Sequence, residues 1–132
     1  MDNIPQLKPG VALVLAGPQG CGKTRLARLI AEQYSSYVEV ELRQLEYGSG
    51  IADALSGEPS VLIVDGAPDR LPDMIKALIT NPTVRVRPTY SKVVKAMRTP
   101  HLIFTTGEVD AVRPLQHNRR FWVIEMPAGA HA

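Results

Sequence analysis

Short hydrophobic runs along the chain predict the strands of a buried sheet. Residues 11–16, 60–65, 101–106 and 121–125 each hold at least three apolar residues in succession. Runs of this length, bounded by turn residues, are typical of strands that are covered on both faces. Residues 37–41 alternate between polar and apolar positions and predict a shorter strand.

Helical periodicity separates these runs. Residues 23–34 place leucines and an isoleucine on one face and charged residues on the other, which predicts an amphipathic helix. Residues 71–79 repeat this spacing and stop before Asn81-Pro82. The segment Gly48-Ser49-Gly50 is expected to break the chain before a weak helical turn at 51–55. Alternating strands and helices indicate an α/β fold.

Composition sets the broad class of protein. The chain has 132 residues, of which 45% are hydrophobic and 21% charged, as expected of one soluble globular domain over residues 1–132. We expect a core over about residues 11–126 and a flexible tail at 127–132. The first residues lack the features of a signal peptide and no apolar run is long enough to span a bilayer, so we expect a cytoplasmic protein with no membrane partner. Cys21 is the only cysteine, which excludes an intrachain disulfide and a cysteine-cluster metal site and leaves it a steric role.

The segment between the first strand and the first helix fits a phosphate-binding loop. It matches G-x-x-x-x-G-K-[ST] at every fixed position, through Gly17, Pro18, Gln19, Gly20, Cys21, Gly22, Lys23 and Thr24. Glycines let the backbone curl around phosphates at a helix N-terminus. Lys23 would contact the β- and γ-phosphates, and the Thr24 hydroxyl would ligate Mg²⁺. We therefore predict that the loop binds a nucleoside triphosphate with Mg²⁺.

A carboxylate is expected opposite this loop. Asp65 ends an all-apolar strand and is the predicted second magnesium residue beside Thr24. The catalytic base is open among Asp69, Asp73 and Glu108, because helix capping explains the first two equally well.

Two further pairs of side chains stand at strand ends. Thr105 and Thr106 close the strand that we expect beside Asp65, which would put one hydroxyl near the γ-phosphate. Arg119 and Arg120 precede the last strand, where one of them could act as an arginine finger offered to a neighbouring subunit. The alternative is a solvated pair at a strand entry.

Positive charge is concentrated in the last third of the sequence. The net charge is only +2, yet eight of the fifteen Lys and Arg residues follow position 84. The candidate DNA-binding residues are Arg85, Arg87, Lys92, Lys95 and Arg98, with Tyr90 among them. Val84 and Val86 alternate with arginines, which predicts a half-exposed strand at 83–87. A solvent-exposed hairpin would have the same composition.

Three motifs together resemble the AAA+ core of superfamily-three helicases from viruses, phages and plasmids. Lys23 and Asp65 are 42 positions apart, and residues 98–108 are similar to the sensor strand of those helicases. Residues 118–123 read Asn-Arg-Arg-Phe-Trp-Val, similar to the end of the virulence-associated E group of phage and mobile-element ATPases.

This resemblance implies both a fold and partners. It implies a three-layer P-loop NTPase with a five-stranded parallel sheet in the order 5-1-4-3-2. It also implies a hexameric ring, and a β-hairpin at about residues 83–98 that grips single-stranded or forked DNA in the pore. Helicases of this type carry separate origin-binding or primase domains, so a separate replication protein is an expected partner in a bacterial or phage-infected cell.

Two departures from the family pattern bear on activity. Gly66 stands where the family usually has an acidic residue, and Thr106 with Gly107 stands where its sensor has asparagine. We therefore expect weak hydrolysis. The leading interpretation is an ATP-hydrolysing DNA helicase or translocase module. The alternatives are a small P-loop kinase and a non-catalytic ATP-dependent switch protein.

Overall fold

A computed structural model describes residues 5–87 and 92–127. The helices are α1 (Lys23–Ala31), α2 (Gly48–Leu55), α3 (Asp73–Thr80) and α4 (Val109–Val112), with 3-10 segments at Leu42–Glu46 and Arg113–His117. The strands are β1 (Ala12–Ala16), β2 (Tyr37–Glu41), β3 (Val61–Asp65), β4 (Thr83–Val86), β5 (Lys95–Arg98), β6 (His101–Thr106) and β7 (Phe121–Glu125). None of the helices in these two ranges has the length and apolarity that crossing a membrane requires.

Five strands form one parallel sheet in the order β2-β3-β6-β1-β7. This notation differs from the predicted 5-1-4-3-2 because β4 and β5 lie outside the sheet. When the sheet strands alone are numbered, the same arrangement reads fifth, first, fourth, third, second from the β7 side. The α/β fold with a five-stranded parallel sheet is confirmed, and the carboxyl ends of its strands share one edge.

The two faces of the sheet bury separate cores because successive side chains of a strand point to opposite faces. Leu13, Leu15 and Ile103 face α1. Val14 and Phe104 face the other side, where α2, α3 and α4 contribute side chains. Phe104 is fully buried. Truncating a core phenylalanine to alanine typically costs about 3–5 kcal/mol.

Strands β4 and β5 form a separate antiparallel pair, as the hairpin prediction required. Val84 and Val86 are buried together with Met97, whereas Arg85 and Arg98 are exposed. Tyr90, proposed as the aromatic among the cations, lies outside the described residues. So does the predicted tail beyond Pro127.

The predicted break at 48–50 is wrong, because α2 begins at Gly48. The Ile51 amide donates to the Tyr47 carbonyl, which starts the helix, and Gly50 lies so close to the Gln44 backbone that a side chain would collide with it.

The 3-10 segment before α2 has no hydrophobic period. It is fixed by a capping box between Glu41 and Gln44, which pattern reading missed. Helix α1 also ends three residues before the predicted limit.

Candidate functional site

The predicted phosphate loop lies between the end of β1 and the start of α1, at the carboxyl edge of the sheet. Gly20 and Gly22 have φ angles of +83° and +92°, which side chains rarely adopt. Gly22 is the residue before the first helical turn, and its carbonyl accepts the bond from the Leu26 amide at 2.9 Å. The loop therefore delivers its backbone to a helix N-terminus, where free N–H groups favour an anion.

Lys23 folds back onto this loop. Its ammonium donates to the carbonyls of Gly17 at 2.8 Å and Pro18 at 3.1 Å. The Cys21 thiol lies 4.0 Å from the same nitrogen and is buried, in agreement with a steric role. The lysine charge is thus held at the mouth of the loop.

The last strand closes on the start of the loop. The Met126 amide donates to the Ala16 carbonyl at 2.7 Å. A Cβ atom at Gly17 would lie 2.5 Å from the Met126 carbonyl oxygen and 2.8 Å from the Cys21 sulfur. Only glycine fits at this first loop position without a backbone shift.

Asp65 and Thr105 lie side by side at the same edge. They are register partners in β3 and β6, and the Thr105 hydroxyl donates to Asp65 Oδ1 at 3.4 Å. Asp65 comes two positions after Ile63 and Thr105 two positions after Ile103, and both isoleucines pack on the α1 side. By strand alternation the two side chains therefore point to the face that α1 covers, where Thr24 is the second residue of the helix. Asp65 and Thr24 are exposed.

Thr106 points to the other face of the sheet, next in alternation after Thr105. Its hydroxyl accepts the Glu108 amide at 3.0 Å and so closes the turn before α4. Of the two threonines, the structure brings Thr105 to Asp65, whereas Thr106, the predicted catalytic residue, supports the turn.

Gly66 occupies a position that admits no side chain. Its φ angle is +149°, and an added Cβ would lie 2.6 Å from the Leu42 Cβ. The acidic residue that the family pattern places here is therefore excluded by the path of the chain and by the 3-10 segment beneath it.

The three candidate bases lie in different surroundings. A Cβ at Gly107 would lie 3.7 Å from the Gly17 carbonyl oxygen, so Glu108 follows a residue that touches the phosphate loop. Asp73 is the first residue of α3, where its charge suits the helix dipole. Asp69 lines a cavity together with Arg120, away from the loop.

Arg119 and Arg120 lie at the opposite edge of the sheet. The Arg120 carbonyl accepts the Ala12 amide at 2.8 Å, which places both arginines at the amino end of β1. The strand separates them from the loop by about 13 Å. An arginine side chain does not span this distance, so neither reaches the loop of its own chain.

The candidate DNA-binding cations that the structure describes are all exposed. Arg85 and Arg98 lie on the outward face of the hairpin, because their strand neighbours Val84 and Met97 are buried. Lys95 is the register partner of Val86, on the other face. The ion pairs among described residues lie elsewhere, and none of them involves Arg85, Lys95 or Arg98.

Sequence reasoning missed an ion-pair cluster at the carboxyl edge. Arg113 binds Glu125 through two hydrogen bonds of 3.0 and 3.1 Å and also contacts Asp110. The pKa of Arg113 is raised and that of Glu125 is lowered, chiefly by the hydrogen bond between them. Twelve positions separate these two residues, so no local sequence pattern predicts this ion pair.

Thr24 offers a hydroxyl oxygen and Asp65 a carboxylate oxygen, which are the kinds of protein ligand that Mg²⁺ takes. Mg²⁺ usually takes one or two carboxylates plus phosphate oxygens rather than a full set of protein ligands. Within residues 5–87 and 92–127, no group of three His, Cys, Asp or Glu side chains could hold a metal alone.

Comparison with known proteins identifies the family. The sequence profile of the Virulence-associated protein E-like domain matches residues 4–132. The chain belongs to this family. The virulence-associated E part of the predicted resemblance is therefore confirmed. No protein among the curated sequences matches the chain.

Solved structures with the same fold include the apo C-terminal region of NrS-1. It superposes with a TM-score of 0.67 at 22% identity, over 89% of this chain and 29% of that one. NtrX from Brucella abortus in complex with ATP gives a TM-score of 0.58 at 18% identity, over 90% of this chain and 33% of that one. Its complex with ADP gives 0.60 at 17% identity. This virulence-associated protein E-like domain thus spans about a third or less of each of these chains.

Proposed function

We propose that this domain binds and hydrolyses ATP as one subunit of a ring that works on DNA in phage or mobile-element replication. One observation carries the proposal. The glycine-rich loop with Lys23 lies at the same sheet edge as the Asp65–Thr105 pair, on the face where α1 presents Thr24. The same fold in NtrX crystallised with ATP and with ADP supports nucleotide binding.

Each residue at this edge has a chemical role in the proposal. The loop amides and Lys23 bind the phosphates, and Lys23 exchanges the carbonyls of Gly17 and Pro18 for phosphate oxygens. Thr24 and Asp65 would hold Mg²⁺, which would neutralise phosphate charge during the reaction. Thr105 orients Asp65 through its hydroxyl.

Glu108 is the proposed residue that orients the attacking water. It follows Gly107, which lies against Gly17, whereas no side chain fits at position 66. A base supplied by a loop rather than by the strand end is held less rigidly, so weak hydrolysis remains our expectation.

The positions of Arg119 and Arg120 favour action between subunits. They lie about 13 Å from the loop of their own chain. An arginine finger offered in trans would stabilise charge on the transferred phosphoryl group and make turnover depend on assembly. A hexameric ring of the superfamily-three type would meet this requirement.

The hairpin is the proposed DNA contact. Arg85, Arg87 and Arg98 are exposed, and no acidic side chain pairs with them in the described part of the chain. Such a surface favours a phosphate backbone, single-stranded or forked, without reading its sequence.

The test is phosphate release from Mg·ATP over a range of protein concentrations, with and without single-stranded DNA. We expect turnover per subunit to rise with concentration and with DNA. Arg119→Ala and Arg120→Ala, compared with wild type, identify the finger as the one whose loss abolishes turnover while ATP binding persists.

A mixing experiment sharpens this test. Lys23→Ala and the inactive arginine variant are each silent alone, but in mixed rings some interfaces pair an intact loop with an intact arginine. Recovered turnover supports action in trans. Tight ATP binding without phosphate release at any concentration would contradict the ATPase and favour the switch protein, and acceptor-dependent ADP formation would favour the kinase.

A further inference from the structure

A cavity of about 550 Å³ opens at the amino edge of the sheet, opposite the phosphate loop. It lies between the end of α3, the base of the hairpin and the segment that leads into β1. The residues that line it include Lys8, Val11, Leu78, Arg98, His101 and Leu102. Its size suits a ligand as large as a nucleotide.

The lining of this cavity combines exposed cations with apolar side chains. Leu78 and Leu102 are buried core residues, whereas Lys8 and Arg98 are exposed. None of the described residues that line the cavity is acidic. An anionic ligand with a flat apolar body matches this distribution.

His101 adds no charge at neutral pH. Its pKa is lowered by burial, and its ring packs against Tyr34 with centroids 5.4 Å apart. A neutral imidazole at the wall is compatible with an aromatic base in the cavity.

The cavity continues the basic face of the hairpin. Arg98 ends β5 opposite Thr83, on the same outward face as Arg85. A strand of nucleic acid lying on this face would therefore arrive at the cavity with its phosphates beside Arg98.

We infer that the amino-edge cavity binds one nucleotide unit, with its phosphate at Lys8 and Arg98 and its base inside the cavity beside Val11, a half-buried apolar residue of the lining. The inference rests on the proposed DNA binding by the hairpin. A nucleotide within a strand and a free mononucleotide share this chemistry, and the experiment separates them.

Trp122 provides the reporter. It is the only tryptophan of the chain, and the Lys8 ammonium lies 5.8 Å from its ring centroid. Emission is recorded while wild-type protein is titrated with short oligothymidine or with thymidine monophosphate. Affinity for labelled oligothymidine is measured in parallel as a function of salt.

Lys8→Ala is the deciding variant, because Lys8 lies outside the hairpin. Loss of one phosphate contact should reduce the slope of log affinity against log salt by about 0.7. Arg98→Ala should do the same, but it also removes a hairpin cation. Arg25→Ala, which removes an exposed cation of α1, is the charge-matched control and should leave the slope unchanged.

The outcomes separate this inference from the proposed function. Changed Trp122 emission together with a reduced slope in Lys8→Ala supports the site, and saturation by thymidine monophosphate alone would identify a free nucleotide as its ligand. A different result would overturn the cavity site and leave the hairpin function intact. In that result oligothymidine binds and Arg85→Ala weakens the binding, but Lys8→Ala has the same salt slope as Arg25→Ala and Trp122 emission does not change. Absence of any oligothymidine binding overturns both.

Discussion

The two edges of the central sheet are built by different means. At the carboxyl edge, the phosphate loop depends on backbone conformation, with glycines at positive φ and a first glycine wedged against Met126. At the amino edge, Lys8, Arg98 and Arg120 are exposed side chains on three separate segments. The carboxyl edge is thus defined by backbone conformation, and the amino edge by exposed positive charge.

This difference predicts different sensitivities to mutation. A backbone site should lose function when a single methyl group is added. A charged surface should lose affinity in small steps, one cation at a time, and in proportion to salt.

The largest effect is expected at the loop lysine. Lys23→Ala removes the charge that we propose meets the developing negative charge on the phosphates, so turnover of ATP should fall by about a hundredfold to a thousandfold. Phosphate release is the measurement. Lys76→Ala removes an exposed cation of α3 and should leave turnover close to wild type. Equal turnover in both variants would show that the loop does not serve ATP.

A methyl group at the first loop glycine should be the next most damaging change. In Gly17→Ala the new Cβ would meet the Met126 carbonyl oxygen, so the free energy of unfolding should fall by about 1–3 kcal/mol. Urea unfolding measures this change. In Gly57→Ala the added Cβ meets nothing within 4 Å, which makes it the matched control. A Gly17→Ala protein as stable as Gly57→Ala would contradict the close approach of β7.

Single cations of the hairpin should have a smaller effect. Arg85→Ala should reduce the slope of log affinity for single-stranded DNA against log salt by about 0.7. Arg28→Ala changes the net charge equally, but Arg28 is paired with Glu39 on α1 and β2. The salt slope of Arg28→Ala should match that of wild type. Equal reductions of the slope in Arg85→Ala and Arg28→Ala would mean that DNA affinity depends only on net charge.

The smallest effect concerns His101 and pH. Burial lowers its pKa below the unfolded value of about 6.5, so the unfolded chain takes up the proton first as the pH falls. The stabilising contribution is complete above about pH 6.5 and is lost as the pH falls through the lowered folded pKa. His101→Gln should lose less unfolding free energy between about pH 7.5 and about pH 5.5 than wild type does. Parallel losses in the two proteins would place the histidine in water.

Most residues at the carboxyl edge of the sheet could be predicted from local sequence patterns. The loop is continuous in sequence, and a strand that ends in Asp65 needs only the parallel rule to be placed beside it. Local patterns did not predict the contacts that a distant segment of the chain makes at this edge. Leu42 fills the space beside Gly66, and Thr105 rather than Thr106 faces α1, because side-chain alternation is fixed by the register with β3.

The sequence by itself determined the five strands of the central sheet, the phosphate-loop motif and the family, because each is contained in contiguous residues whose period or spacing has a direct physical cause. Only the tertiary structure decided which charges meet. The Arg113–Glu125 pair, the distance of Arg120 from its own loop and the meeting of Lys8 with Arg98 at one cavity join residues that are distant along the chain. These relations depend on strand order and on the return of each connection to the opposite edge, which no local pattern encodes.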